Sequence, residues 1–150
     1  MLRWRHFRSD DGSAALEFIT AGLLLLVPMI YLVITMAAIQ GGALSVEGAS
    51  RQAARVFVQA PNASAARSRA QTAVDFALAD FGVSASGATI RITCSPRPGT
   101  CLTRRGFVTV TVAARVSLPL SPPATHVKSP LSIPLTATST EQVSRFWGAG

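Results

Sequence analysis

Residues 18–39 read FITAGLLLLVPMIYLVITMAAI, 22 residues without a charge, and the uncharged stretch runs on to Val46 before Glu47 ends it. About 20 apolar residues, at ~1.5 Å rise each, carry a helix across a hydrocarbon core of ~30 Å. This stretch is therefore predicted to be one membrane-spanning helix, and the rest of the fold is read outward from it. Pro28 lies inside it. In lipid, neighbouring groups satisfy the carbonyl that proline frees, so a modest kink near Leu24 is expected rather than a break. Arg3, Arg5 and Arg8 precede the span with no equal cluster close behind. Basic flanks stay in the cytoplasm, which puts the N-terminus inside and everything after about Val46 outside. The competing reading is a secretory signal cut at Gly41-Gly42-Ala43, but a signal core runs ~7–15 residues, shorter than this one.

Of the 150 residues, 49% are hydrophobic and 14% charged. That balance excludes a disordered, collagen-like or disulfide-dense chain. Fourteen basic and seven acidic residues give a net charge of +7, which by itself names no partner. Roughly a hundred residues remain outside the apolar run, enough for a small sheet and helix layer but short for an enzyme with a buried cleft.

Beyond the span, Glu47, Arg51 and Arg55 follow at four-residue spacing, and Ala43, Val46, Ala49, Ser50, Ala53, Ala54 and Phe57 form an opposed small and apolar stripe. The helix is predicted to continue to about Gln59 and to stop before Pro61. Gly41 and Gly42 mark either a hinge or a close helix contact, the second being the ordinary use of small residues. Asn62 or Ser64 caps a second helix to about Phe81, with Ala70, Val74, Ala77 and Phe81 on one face and Gly82 ending it. Asn62-Ala63-Ser64 also fits a glycosylation acceptor, although capping suits it better.

After Gly82 the period changes to two. Ile90, Ile92 and Cys94 alternate with Thr89, Arg91 and Thr93, and Val108, Val110, Val112, Ala114, Val116 and Leu118 alternate with polar or small residues. A third alternation covers Leu131, Ile133, Leu135 and Ala137, with Pro134 on the opposite face marking an edge strand. Four prolines between Ser117 and Pro130 make an extended connection. The expected class is α+β, with a three-stranded antiparallel sheet covered by the second helix and the lower part of the first. Phe146 and Trp147 either dock on this head or touch a neighbour.

Cys94 and Cys101 are the only cysteines, and they flank a six-residue loop between the first two strands. Outside the cytoplasm a disulfide pinning that hairpin is the natural reading, with free thiols or a redox pair as the alternatives. The only histidines are His6 and His126. No nucleophile elbow, phosphate-cradling glycine loop or metal-ligand cluster accompanies them, so neither an enzyme nor a cofactor is expected. Arg91, Arg97, Arg104 and Arg105 gather around the hairpin as a candidate anionic contact, but aromatics that would stack bases are scarce and nucleic acid is not expected.

One carboxylate stands at the front edge of the span. Glu17 follows a short basic leader, Asp10, Asp11, Gly12 and then Ser13-Ala14-Ala15-Leu16. An ionisable group entering lipid costs up to ~3 kcal/mol and normally has a partner or a function. In this respect the chain resembles a type IV prepilin. With DDGSAALEF, the Leu-rich span and the SRQAAR that follows, it resembles the TadE-like minor pseudopilins of tight-adherence (Tad) pilus and secretion systems over residues 1 to about 58. Unlike the major Tad pilins it has Phe18 after Glu17, where they carry a Glu-Tyr pair.

The resemblance implies cleavage between Gly12 and Ser13 by a prepilin peptidase, leaving Glu17 as the fifth residue of the mature chain. It further implies other pilin-like subunits and an inner-membrane assembly machinery as partners, with the head outside the cytoplasmic membrane or incorporated in a pilus. The segments are then a leader (1–12), the transmembrane and extended helix (13–60), a second helix (61–82), a disulfide-pinned sheet (83–140) and a tail (141–150). The alternative function is a membrane-tethered module whose arginine-bearing hairpin contacts anionic envelope polymer, with Glu17 incidental.

Overall fold

The computed structural model describes residues 13–118 and 132–148. Gly12, the basic leader, Leu131 and the proline-rich connection with His126 lie outside the described residues, as does the side chain of Ser13. The order is α1 (Ser13–Val58), α2 (Ala63–Ala79), a single 3-10 turn (Ala85–Gly87), β1 (Thr89–Ser95), β2 (Phe107–Ser117) and β3 (Ser132–Gln142). The sheet is antiparallel throughout with β2 central, so β3, which carries Pro134, is an edge strand as expected, and the class is α+β in a pilin-like arrangement.

α1 is one helix of 46 residues with Pro28 inside it. It is long and apolar enough to cross a membrane, and the head leaves it uncovered up to Ile34. Its two halves do different work. Up to Ile34 every described side chain is exposed, while from Ser45 onward Val46, Ala49, Ala53, Ala54 and Phe57 are buried. The buried stripe lies at helical three- and four-residue steps, so one face of the rear half is the spine of the core. It packs on the inner face of the sheet, where Val108, Val110, Val112, Ala114 and Val116 of β2 are all buried.

α2 lies alongside α1, and its Ala70 shares a groove with Ile90 and Ile92 of β1. The Asn62 side chain caps it by accepting from the Ala65 N–H at 2.9 Å. The expected apolar face needs correction. The buried residues are Ala66, Ala70, Val74 and Leu78, whereas Ala77 is half-buried and Phe81 is 53% exposed. A strict four-residue step selects the first set, and the helix ends at Ala79 before Phe81 can join it. Gly82 then adopts φ +67°, and the Val83 N–H donates to Leu78 O at 2.9 Å to close the helix end.

Gly42 sets the distance between α1 and the sheet. A methyl group there would lie 2.3 Å from Val116 Cγ2 and 3.1 Å from Leu135 Cδ1. The close-contact reading of this glycine is therefore the one the fold uses. Gly42→Ala is expected to destabilise the head by about 1–3 kcal/mol through overpacking, despite a helix-propensity gain of up to ~1 kcal/mol. Gly48, six residues on, has open space around it. Gly48→Ala is expected to be neutral or stabilising, and paired urea melts in detergent micelles check the contrast.

Candidate functional site

The register fixes which end of the head faces the span. Gly42 of α1 meets the end of β2 and the beginning of β3, at Val116 and Leu135. At the other end, the Trp147 indole N–H donates to Ala60 O at 2.9 Å, just past the end of α1. The hairpin loop between β1 and β2 lies at this distal end, because the Arg105 N–H donates to Val143 O and the Val143 N–H to Gly106 O. The tail is therefore docked through Trp147, while Phe146 stays exposed under the Arg145 guanidinium, 4.6 Å from its ring centre.

At the front, Glu17 is exposed in the second turn of α1. Around it stand Leu16, Phe18 and Ile19, with Phe18 81% exposed. A carboxylate among large, uncovered apolar side chains on a helix of membrane-spanning length is the one charge of this stem. No charged group follows it on α1 until Glu47, which pairs with Arg51 one turn on. That exposed pair is worth tenths of a kcal/mol and positions nothing.

Cys94 and Cys101 are bonded, with Cα atoms 5.1 Å apart. Cys94 ends the buried face of β1, and Cys101 sits in the loop rather than on β2. The bridge thus ties the loop to β1 instead of stapling the two strands directly. Closing so short a loop is worth ~2–3 kcal/mol in unfolded-state entropy. Replacing both cysteines with serine is expected to lower head stability by about that amount, read as the shift in urea midpoint against the oxidised parent.

The four candidate arginines do not form one cluster of a kind. Arg91 projects from the outer face of β1, in register with Thr111 and beyond it Thr138. Arg97 is in the disulfide loop, and Arg104 and Arg105 form the turn into β2. Arg104 is partly engaged, its Nε–H donating to Trp147 O at 2.9 Å. Arg105 holds a left-handed φ of 59°, an uncommon conformation for a side-chain-bearing residue, tied down by its bond to Val143 O and by Gln142 Nε2 donating to its carbonyl. Three arginines thus share the distal tip, and the fourth belongs to the sheet face.

That outer face was not singled out by sequence reading. Thr93, Thr109 and Thr140 form one row across the three strands, with the Thr109 and Thr140 hydroxyls 2.8 Å apart. Thr111 and Thr138 repeat the pattern at 3.0 Å in the next row. Alternation alone signals such a face, since each threonine occupies the polar phase of its strand. Among the described residues no group of three or more His, Cys, Asp or Glu is placed to hold a metal ion. Compared with known family models, characterised proteins and solved structures, the chain matches none of them.

Proposed function

We propose that this protein is a structural, pilin-like subunit, a TadE-like minor pseudopilin that a prepilin peptidase trims after Gly12 and that acts in assembling a Tad-type pilus or secretion apparatus. The observation that carries this reading is the position of Glu17. It stands four residues after Ser13, at the front of a 46-residue helix whose forward half is apolar and uncovered and whose rear half is the spine of a small head. After cleavage the new α-ammonium at Ser13 lies at the edge of lipid, where the carboxylate of a neighbouring subunit neutralises it. Two charges that are costly in lipid when separate are stabilised as a pair, so insertion of a subunit and charge neutralisation become one event. The function is packing rather than turnover. The N-terminus is cytoplasmic and the head extracytoplasmic, and the partners are the peptidase, other pilin-like subunits and the inner-membrane machinery whose ATPase supplies work.

The test is the N-terminal sequence and intact mass of the protein recovered from membranes with and without its prepilin peptidase. The expected start is Ser13 with the peptidase and Met1 without it. A start at Met1 in both would overturn the pilin pathway and favour a tethered binding module. A start near Leu44 would mean a released head and overturn the anchor as well.

A further inference from the structure

The apolar run of α1 and the part of α1 covered by the head overlap. The run ends at Ile39, with Gln40 the first polar residue after Thr35, yet Thr35, Ala38 and Ile39 are already half-buried. The head therefore begins within the last turn of the membrane-spanning segment and does not stand off on a stalk. Two residues mark its base. Phe81, at the turn after α2, is 53% exposed, and a methyl group on Gly41 would lie 3.7 Å from its Cδ1. Arg115, near the end of β2, is exposed and has no carboxylate partner among the described residues. Phe81, Arg115, Ser84 and Ser117 line, together with Ala38 of α1, one shallow pocket of about 210 Å³.

We propose that this base is a membrane-contact surface: Phe81 enters the interfacial layer of the bilayer that α1 spans, and Arg115 binds lipid phosphate beside it. The inference rests on the reading that α1 crosses a membrane. The occupant follows from covalent continuity. A span of 22 residues from Phe18 is about 33 Å long, so Ala38 to Gly42 lie at the level of the headgroups, and whatever flanks them lies there too. An exposed aromatic ring with a cation beside it suits that layer, where apolar bodies sink toward the acyl chains and cations meet phosphate. The exposed ring of Phe81, set beside the end of the span at Gly41, is then the contact itself. The consequence is a head held against the bilayer surface from which α1 emerges.

The test uses the full chain with Trp4→Phe, reconstituted in vesicles of phosphatidylcholine and phosphatidylglycerol with or without bromine high on the acyl chains. Trp147, beside Ala60, stands about 30 Å beyond Ile39 along α1 and serves as the unquenched internal reference. Adding Phe81→Trp is expected to introduce emission that the brominated lipid quenches about twofold, as interfacial burial requires. Tyr31→Trp, inside the span, is expected to be quenched at least as strongly. Adding Arg115→Gln to Phe81→Trp is expected to remove roughly half of the quenching and its dependence on phosphatidylglycerol.

Quenching of Tyr31→Trp with none of Phe81→Trp would overturn the contact and leave the span intact. Quenching of neither would overturn both. Full quenching that ignores Arg115→Gln would overturn the phosphate contact.

Discussion

Glu17→Gln is expected to leave the protein in the membrane and out of the assembled structure. The amide keeps the shape of the carboxylate and removes only its charge, so the apolar helix that follows inserts at least as readily. On the proposed reading, what is lost is the negative charge that neutralises the neighbouring α-ammonium. Leaving one member of a desolvated ion pair alone costs about 3–5 kcal/mol, more than a hundredfold in the equilibrium for each subunit joined. The measurement is the ratio of protein in sheared or secreted assemblies to protein in washed membranes. Incorporation of Glu17→Gln at the parent level, with membrane levels equal, would show that Glu17 is incidental and that the stem packs by apolar contact alone.

Much of this arrangement is legible in the sequence because its determinants are local. The 22-residue apolar run, the proline at 61, the cap at Asn62 and the alternation in Ile90–Cys94 and Val108–Val116 each fix an element without reference to the rest. What escaped is what depends on how elements meet. Ala70, Val74, Ala77 and Phe81 form as good a stripe as Ala66, Ala70, Val74 and Leu78 when steps of three and four are both allowed. Only packing against α1 chooses between them. The third strand runs to Gln142, five residues past Ala137 and past the expected boundary at 140, because Ser139 and Glu141 take up the inward phase where no apolar residue announces it. Likewise, four arginines close in sequence divide between a sheet face and a tip, since one lies in a strand and three in the connection. The base of the head is invisible in sequence altogether. Phe81 and Arg115 are 34 positions apart, and only the packing of α2's end and of β2 against α1 brings both beside Ala38.

Phe57→Ala is expected to destabilise the head by about 3–5 kcal/mol, the usual cost of emptying a buried aromatic site. Phe57 is the largest of the fully buried side chains at 1% exposure, and it belongs to α1, about five turns of helix beyond Ile39, where the apolar run ends. With total stabilities of about 5–15 kcal/mol in domains, such a loss brings a small head close to its unfolding midpoint. Phe76 supplies the control. It has the same chemistry on α2 but is 69% exposed, so Phe76→Ala is expected to change stability by no more than about 0.5 kcal/mol. Trp147 reports the result, because its indole is tied to Ala60, three residues beyond Phe57, and loses that partner when the core opens. In detergent micelles the Phe57→Ala protein is expected to show Trp147 emission shifting at much lower urea than Phe76→Ala, while far-ultraviolet dichroism retains the helical signal of the stem. That split follows from the division of labour along α1. Its forward half is apolar, uncovered by the head and held by its own backbone hydrogen bonds, and its rear half is covered by the sheet and α2. Were the two variants to melt together, or the stem helix to be lost with the head, α1 would not be the spine of the core and the two halves would not be independent.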